Sequence, residues 1–200
     1  VTKPAWHDDL QAFSAWCRQV LAEAAAGSDL QPRLMQVATI APDGSPRLRT
    51  VMLRSVERGG WRVTFHTDAT SSKAAELAAD PRLEIHVWRQ DLQLMIRLRG
   101  TALLARPPEP DALAAWTGLP DRTRHVYRLA APQGGTIAAG GAYARHEPPA
   151  AGIADPGLAH FTVVNVAVDE IEGVSLEPAG HRRAVWQAPG RGRADRWLVP

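Results

Sequence analysis

Two arginines bracket the stretch Arg49-Thr50-Val51-Met52-Leu53-Arg54, which otherwise reads as a short apolar strand. A guanidinium buried beside a sheet is costly unless an anion or a hydrogen-bond network meets it, so Arg49 needs a partner. Further along, Thr67-Asp68-Ala69-Thr70-Ser71-Ser72-Lys73 places hydroxyls and a lysine just ahead of the helix-favouring run Ala74–Ala79. A helix starting there presents free backbone amides and a positive dipole end, and Ser71, Ser72 and Lys73 add donors. That chemistry suits a phosphate. Arg49 would close such a site with a charge-assisted hydrogen bond. Alternation sends Arg49, Val51 and Leu53 to one face of the strand and Thr50, Met52 and Arg54 to the other. The two arginines therefore need different partners, and Arg54 is left to solvent, to an acid or to a substrate.

Each of these residues also has a plainer role. A strand-end arginine commonly sits in a surface ion pair. Ser71 and Ser72 would cap a helix without any ligand, and Lys73 would be a solvated first-turn residue. A cation there opposes the helix dipole, however, which favours an anion beside it. His66 and His86 lie among apolar neighbours and no histidine pair has metal-ligand spacing, so both read as structural and no metal site is expected. No Ser-His-Asp arrangement is legible in the chain order.

The elements that must position these residues follow from periodicity and turn chemistry. Trp6, Leu10, Phe13, Cys17, Val20, Leu21 and Ala24 recur at helical steps, predicting an amphipathic helix over 4–26 that ends at Gly27. LMQVATIA and RLRTVMLRSV, joined by PDGSP, read as a hairpin; WRVTFHT follows with Trp61, Val63, Phe65 and Thr67 on one face. A helix is expected from Ser71 to Pro81, then strands LEIHVW and LQLMIRLRGTALL, a short helix near 111–116, a Gly-rich loop QGGTIAAGG, and strands FTVVNVAVDEIEGVSLE, RRAVWQ and RWLVP. DRTRHVYR reads as a solvated helix face. Short strands that mostly follow turns, with a leading helix and inserted helices, predict an α+β, mainly antiparallel barrel in one domain over 1–200.

Composition bounds the rest. Hydrophobic residues make up 45% of the 200, enough for a real core, and no long apolar run or signal-peptide pattern is read, so a cytoplasmic protein without a membrane anchor is expected. The single cysteine, Cys17, excludes an internal disulfide and lies on the apolar helical face as a buried thiol. The formal charge is only +2 and the basic residues are dispersed among acids, which argues against nucleic acid. Lys73 is one of just two lysines in an arginine-rich chain.

In order and spacing, RTVMLR, FHTDATSSKAAEL, ADPRLEIHVW and Gln93 within LQLMIRLRG resemble the pyridoxamine 5′-phosphate oxidase-like family of FMN-binding split barrels, over about residues 34–104. RWLVP is a weaker echo of that family's closing segment. The resemblance implies a split β-barrel that works as a homodimer with FMN in the subunit interface. On that pattern Arg49 and Lys73 hold the phosphate with Ser71 and Ser72 beside them. Thr50, Val51, Met52, His66 and Thr67 contact the flavin through backbone or side chain, and Gln93 bonds the pyrimidine edge. Arg183, and Gln133 with it, reach the cofactor from the second subunit. The sequence also departs from the pattern. Ser72 stands where the oxidases carry arginine and Arg54 where they carry lysine; their substrate-phosphate segment has no match around Trp116–Arg124, and Leu176 occupies the place of an active-site tryptophan. The expected function is an FMN-dependent oxidoreductase taking hydride from a small substrate. The alternatives are a flavin-binding module without turnover and a basic barrel that binds nucleic acid through its arginines.

Overall fold

The computed structural model describes residues 3–200. The leading helix, α1 (Leu10–Ala26), begins later than the apolar period suggests. Residues ahead of it turn instead, and the Asp9 carboxylate accepts from the amides of Gln11 and Ala12 at 2.9 Å each, a cap worth about 1 kcal/mol. Trp6 keeps the apolar role that made it look helical, stacking on Trp16 at 4.4 Å between ring centroids. Gly27 ends the helix as expected, and Cys17 is fully buried on its inner face. A single turn, α2 (Leu30–Arg33), leads into the sheet.

The strands are β1 (Leu34–Ile40), β2 (Pro46–Val56), β3 (Arg62–Asp68), β4 (Arg82–Arg89), β5 (Leu94–Ala105), β6 (Phe161–Ser175), β7 (Arg182–Gln187) and β8 (Arg196–Leu198). The helices among them are α3 (Ser72–Ala79) after β3, then α4 (Pro110–Thr117) and α5 (Asp121–Arg124) after β5. All pairings are antiparallel, in the order β3-β2-β1-β4-β5-β6-β7-β8, and β6 also pairs back onto β3. The first six strands therefore close into a barrel. β6 makes the closure possible by its length. Its first half pairs with β3 from Phe161 to Ala167, and its second half carries β7 from Glu170 to Ser175.

Alternation fills the barrel as the sequence suggests: Val63, Phe65, Ile85, Ile96, Leu98 and Val166 are fully buried. Two bulges shape it. On β2, Leu53 faces Phe65 while Ser55 faces Thr64, which makes Arg54 the extra residue. A bulge redirects the side chain it carries. On β6, Asp169 is the extra residue opposite Arg99 and Gly100. Gly100 is required there, because a Cβ would run into the Ala167 carbonyl oxygen.

The excursion between β5 and β6 covers the outside of β3 and β6 with its own small core of Trp116, Tyr127 and Phe161. Here the structure corrects the reading of DRTRHVYR as a solvated face. Arg128 is 1% exposed. Its guanidinium donates to both carboxylate oxygens of Asp155 (Nη2–Oδ2 2.7 Å) and to Asp121 at 2.5 Å, so it pins the excursion to itself across 27 residues.

Candidate functional site

Ser71 caps α3, its hydroxyl accepting from the Ala74 amide at 3.3 Å, which places the start of this helix at the end of β3 as expected. Lys73 on the first turn is half-buried, and its ammonium donates to Thr67 Oγ1 at 2.7 Å and to Ser71 Oγ at 3.4 Å. Both partners are neutral. Burial first, and the nearby Arg49 charge second, pull the Lys73 pKa below the usual lysine range, against the opposing charges of Asp68 and Glu76. Ala74 and Leu77 seat α3 in the core.

Arg49 sits on the same face of β2 as buried Val51 and Leu53, as alternation requires. Its guanidinium is not unpaired. Nη2 donates to Glu76 at 2.6 Å, and Nη1 donates to Thr39 Oγ1 and to the Arg47 carbonyl at 3.1 Å. The Thr39 hydroxyl in turn donates to Glu76. Arg49, Ser72 and Glu76 line one surface cleft of about 610 Å³, together with Asp43 and Arg47. Glu76 and Thr39 were missed from sequence. The available signals were two: Glu76 lies one helical turn after Ser72, and Thr39 is a polar residue on a strand face that is otherwise apolar.

Of the residues expected to meet the ring, Val51 is buried and offers only its backbone to a ligand, while Thr50 is exposed and Met52 half-buried on the outer face. His66 points away from Thr67, toward Phe161, whose ring it meets edge-on at 4.8 Å. It lines a second cleft, of about 450 Å³, with Arg54, Ser55, Thr64, Asp111 and Asn165. Two groups in that cleft are buried with no hydrogen-bond partner among the described residues, His66 Nδ1 and Arg54 Nε. Burial, with the Arg54 charge second, pushes the His66 pKa down to about 4, so the imidazole is neutral at physiological pH. Burial also lowers the Arg54 pKa; the Tyr127 phenol opposes that shift and the Arg33 charge adds to it. Alternation places this arginine on the outer face with the cleft, and the bulge makes it the extra residue there.

Gln93 and Arg183 lie apart from the Arg49 cluster. Gln93 is exposed at the turn before β5 with φ +47°, its amide bonded to the Gln90 carbonyl at 3.0 Å. Arg183 on β7 donates to Glu172 at 2.7 Å, and Arg97 on β5 donates to the same oxygen. Gln133 touches the α3 region through its backbone, donating to Thr70 Oγ1 at 3.0 Å within the same chain. Register aligns Thr50, Gln36, His86, Arg97 and Glu172 in one row on the outer face. His86 there bonds Gln36 at 3.0 Å.

A closed six-stranded antiparallel barrel with extra strands, and a helix inserted after its third strand, is the split-barrel architecture. Residues 13–106 match the family model described as pyridoxamine 5′-phosphate oxidase, FMN-binding domain. A pyridoxine/pyridoxamine 5′-phosphate oxidase of Microcystis aeruginosa is 35% identical over 104 residues, 52% of this chain and 46% of that protein. One of Rhodopseudomonas palustris is 34% identical over 103 residues, 52% of this chain and 46% of that protein. The chain thus spans about half the length of the curated relatives it matches. A pyridoxamine 5′-phosphate oxidase-related, FMN-binding protein of Nostoc punctiforme shares the fold over the whole of both chains, with a TM-score of 0.70 at 21% identity. PhzG of Burkholderia lata, solved with tetrahydrophenazine-1-carboxylic acid, also has a TM-score of 0.70, at 19% identity over 100% of this chain and 98% of its own. Among the described residues no helix is long and apolar enough to cross a membrane.

FMN is the cofactor of this family, and the donor set of the chain fits its phosphate. Lys73 is a half-buried cation whose hydrogen-bond partners are hydroxyls, and it stands on the first turn of α3 close enough to Arg49 for the two charges to repel. A phosphate satisfies both cations and the dipole end of the helix together.

Proposed function

We propose that the chain is an FMN-dependent oxidoreductase, with Arg49, Ser71, Ser72 and Lys73 holding the cofactor phosphate. The observation that carries this reading is Lys73: a cation half-removed from water, at a helix start, whose hydrogen bonds go to the neutral Thr67 and Ser71 and to no carboxylate among the described residues. Buried charges are normally paired, and a ligand anion supplies the missing partner. Thr50, Met52 and the backbone of Val51 border the ring, with Thr67 beside the phosphate. FMN when bound supplies the redox chemistry, accepting hydride from the substrate and passing electrons on to oxygen or another acceptor.

The residues of the chain bind and orient. Arg54, at the bulge of β2 and in the cleft with His66, has a buried Nε with no partner among the described residues. That pair suits the anionic group of a small substrate. His66, neutral at physiological pH, offers a hydrogen bond rather than a charge. The reading carries with it a homodimer built on the outer face of the barrel, from which Arg183 and Gln93 would approach the partner's flavin. Supporting this is the half-buried row of Gln36, His86, Arg97 and Glu172, where Arg97 Nε has no partner among the described residues.

The test is a visible absorption spectrum of the purified protein after incubation with FMN and gel filtration, followed by anaerobic addition of candidate substrates, beginning with pyridoxamine 5′-phosphate. Retained flavin that bleaches with a substrate supports the reading. Retained flavin that no substrate reduces favours a non-catalytic module, and no retained flavin refutes the site.

A further inference from the structure

We infer that Glu76 and Thr39 are positioning residues that set the orientation of Arg49 toward the cofactor phosphate; the inference rests on the FMN reading above. A guanidinium carries five N–H donors in a rigid plane. Three are consumed inside the protein: Nη1 by Thr39 and by the Arg47 carbonyl, and one N–H of Nη2 by Glu76. Thr39 Oγ1 and Glu76 Oε2 are themselves hydrogen-bonded, so they stand side by side and take the Nη1–Nη2 edge as a pair. The two donors left over, Nε–H and the second N–H of Nη2, form the adjacent edge. That edge has the geometry that receives two oxygens of a phosphate at once.

The acceptors are fixed more firmly than the arginine. The Glu76 side chain is 6% exposed and Arg49 20%. Glu76 is held in α3, and Thr39, buried in β1, lies beside the β2 strand that carries Arg49. The guanidinium therefore cannot rotate its occupied edge outward without leaving a buried carboxylate unanswered.

This division also separates the work of the two cations. Arg49 is hydrogen-bonded directly to the Glu76 carboxylate and so contributes direction, while Lys73 is hydrogen-bonded only to hydroxyls, with the Asp68 and Glu76 charges acting on it from further off, and contributes charge. Glu76 has a cost in this scheme, since its carboxylate repels a phosphate. The geometry points to orientation outweighing that repulsion.

Riboflavin lacks the phosphate, so the ratio of riboflavin to FMN dissociation constants isolates the phosphate contribution. It is measured by flavin-fluorescence quenching for wild type, Glu76→Ala, Glu76→Gln and Thr39→Val, with thermal melts alongside. The expected result is a ratio at least tenfold lower in Glu76→Ala with riboflavin affinity unchanged, most of the ratio recovered in Glu76→Gln, which keeps an acceptor oxygen, and a smaller fall in Thr39→Val. Thr39→Val preserves side-chain shape and carries the same test where Glu76→Ala fails to fold. An unchanged or higher ratio in Glu76→Ala overturns the inference, as the carboxylate would then only compete with phosphate. Equal losses of FMN and riboflavin overturn it too, as the cluster would then be merely structural. A wild-type chain that binds neither flavin overturns the cofactor reading itself.

Discussion

His66 makes a pH-dependent prediction that the cleft geometry fixes in sign and size. Its ordinary pKa of 6.5 falls to about 4 in the folded chain, because burial disfavours the imidazolium and the Arg54 charge adds to that. A base whose folded pKa is depressed takes up its proton in the unfolded state first. Between pH 6.5 and 4 the unfolded chain therefore binds more protons, and stability falls as pH falls. With these two values, going from pH 7 to pH 4.5 removes about 2 kcal/mol through His66 alone. Protonation of carboxylates held low by ion pairs, Asp8 and Asp80 among them, acts in the same direction, so the total change does not identify the histidine.

The assay is accordingly a difference. Urea unfolding of wild type and His66→Gln at pH 7 and pH 4.5 gives four free energies; the variant keeps a polar side chain that does not titrate. The pH-dependent loss should be smaller in His66→Gln by about 2 kcal/mol. The same experiment in an Arg54→Met background should shrink the His66 effect, since one of its two causes is gone. Equal pH dependence in wild type and His66→Gln would refute the argument, and would mean that water or a counter-ion already solvates the imidazole in the folded chain.

Three further outcomes follow from other parts of the structure. Arg49→Ala and Lys73→Ala should each weaken FMN by about 1.5–3 kcal/mol, the range of a charge-assisted hydrogen bond, with riboflavin affinity unchanged; fluorescence titration with both flavins checks this, and wild-type FMN affinity in both variants sinks the phosphate site. Asp155→Ala should cost about 2 kcal/mol in urea unfolding, below the roughly 3–5 of a deeply buried pair because Asp121 stays on the Arg128 guanidinium. Gly173→Ala puts a Cβ 2.8 Å from Cys17 Sγ and 3.1 Å from the Trp186 ring, an overpacking cost of about 1–3 kcal/mol. Adding Cys17→Ala should restore part of that loss, and strictly additive losses would show that the crowding lies elsewhere.

The strands were legible because one barrel face is buried and period-two alternation survives in β1, β3, β4 and β5. Ser71 was legible as a cap because capping is local chemistry. The features that escaped are those decided by distant chain. Trp6 fits the helical period, yet Asp9 starts the helix, since a carboxylate that satisfies two amides outweighs an apolar step. Arg128 looked solvated because its partner Asp155 lies 27 residues on, beyond any local pattern. Gln93 was placed by motif order, whereas a left-handed turn fixes where its side chain goes.

Arg49 and Arg54 show the same division most clearly. Alternation correctly sent them to opposite faces and so demanded two partners. It could not reveal that Glu76 meets Arg49 inside the protein, because that contact depends on how α3 docks against β1 and β5. Nor could it reveal the bulge that makes Arg54 an extra residue, which arises where β2 and β3 must stay in register while the barrel closes. The consequence reverses the starting intuition. Arg49, chosen as the guanidinium in need of an anion, already donates to Glu76, Thr39 and the Arg47 carbonyl, whereas Lys73 is hydrogen-bonded only to hydroxyls and Arg54 Nε has no partner among the described residues. On the proposed function, the cation at the start of α3 would meet the phosphate of the flavin and the one at the β2 bulge an anionic group of the substrate.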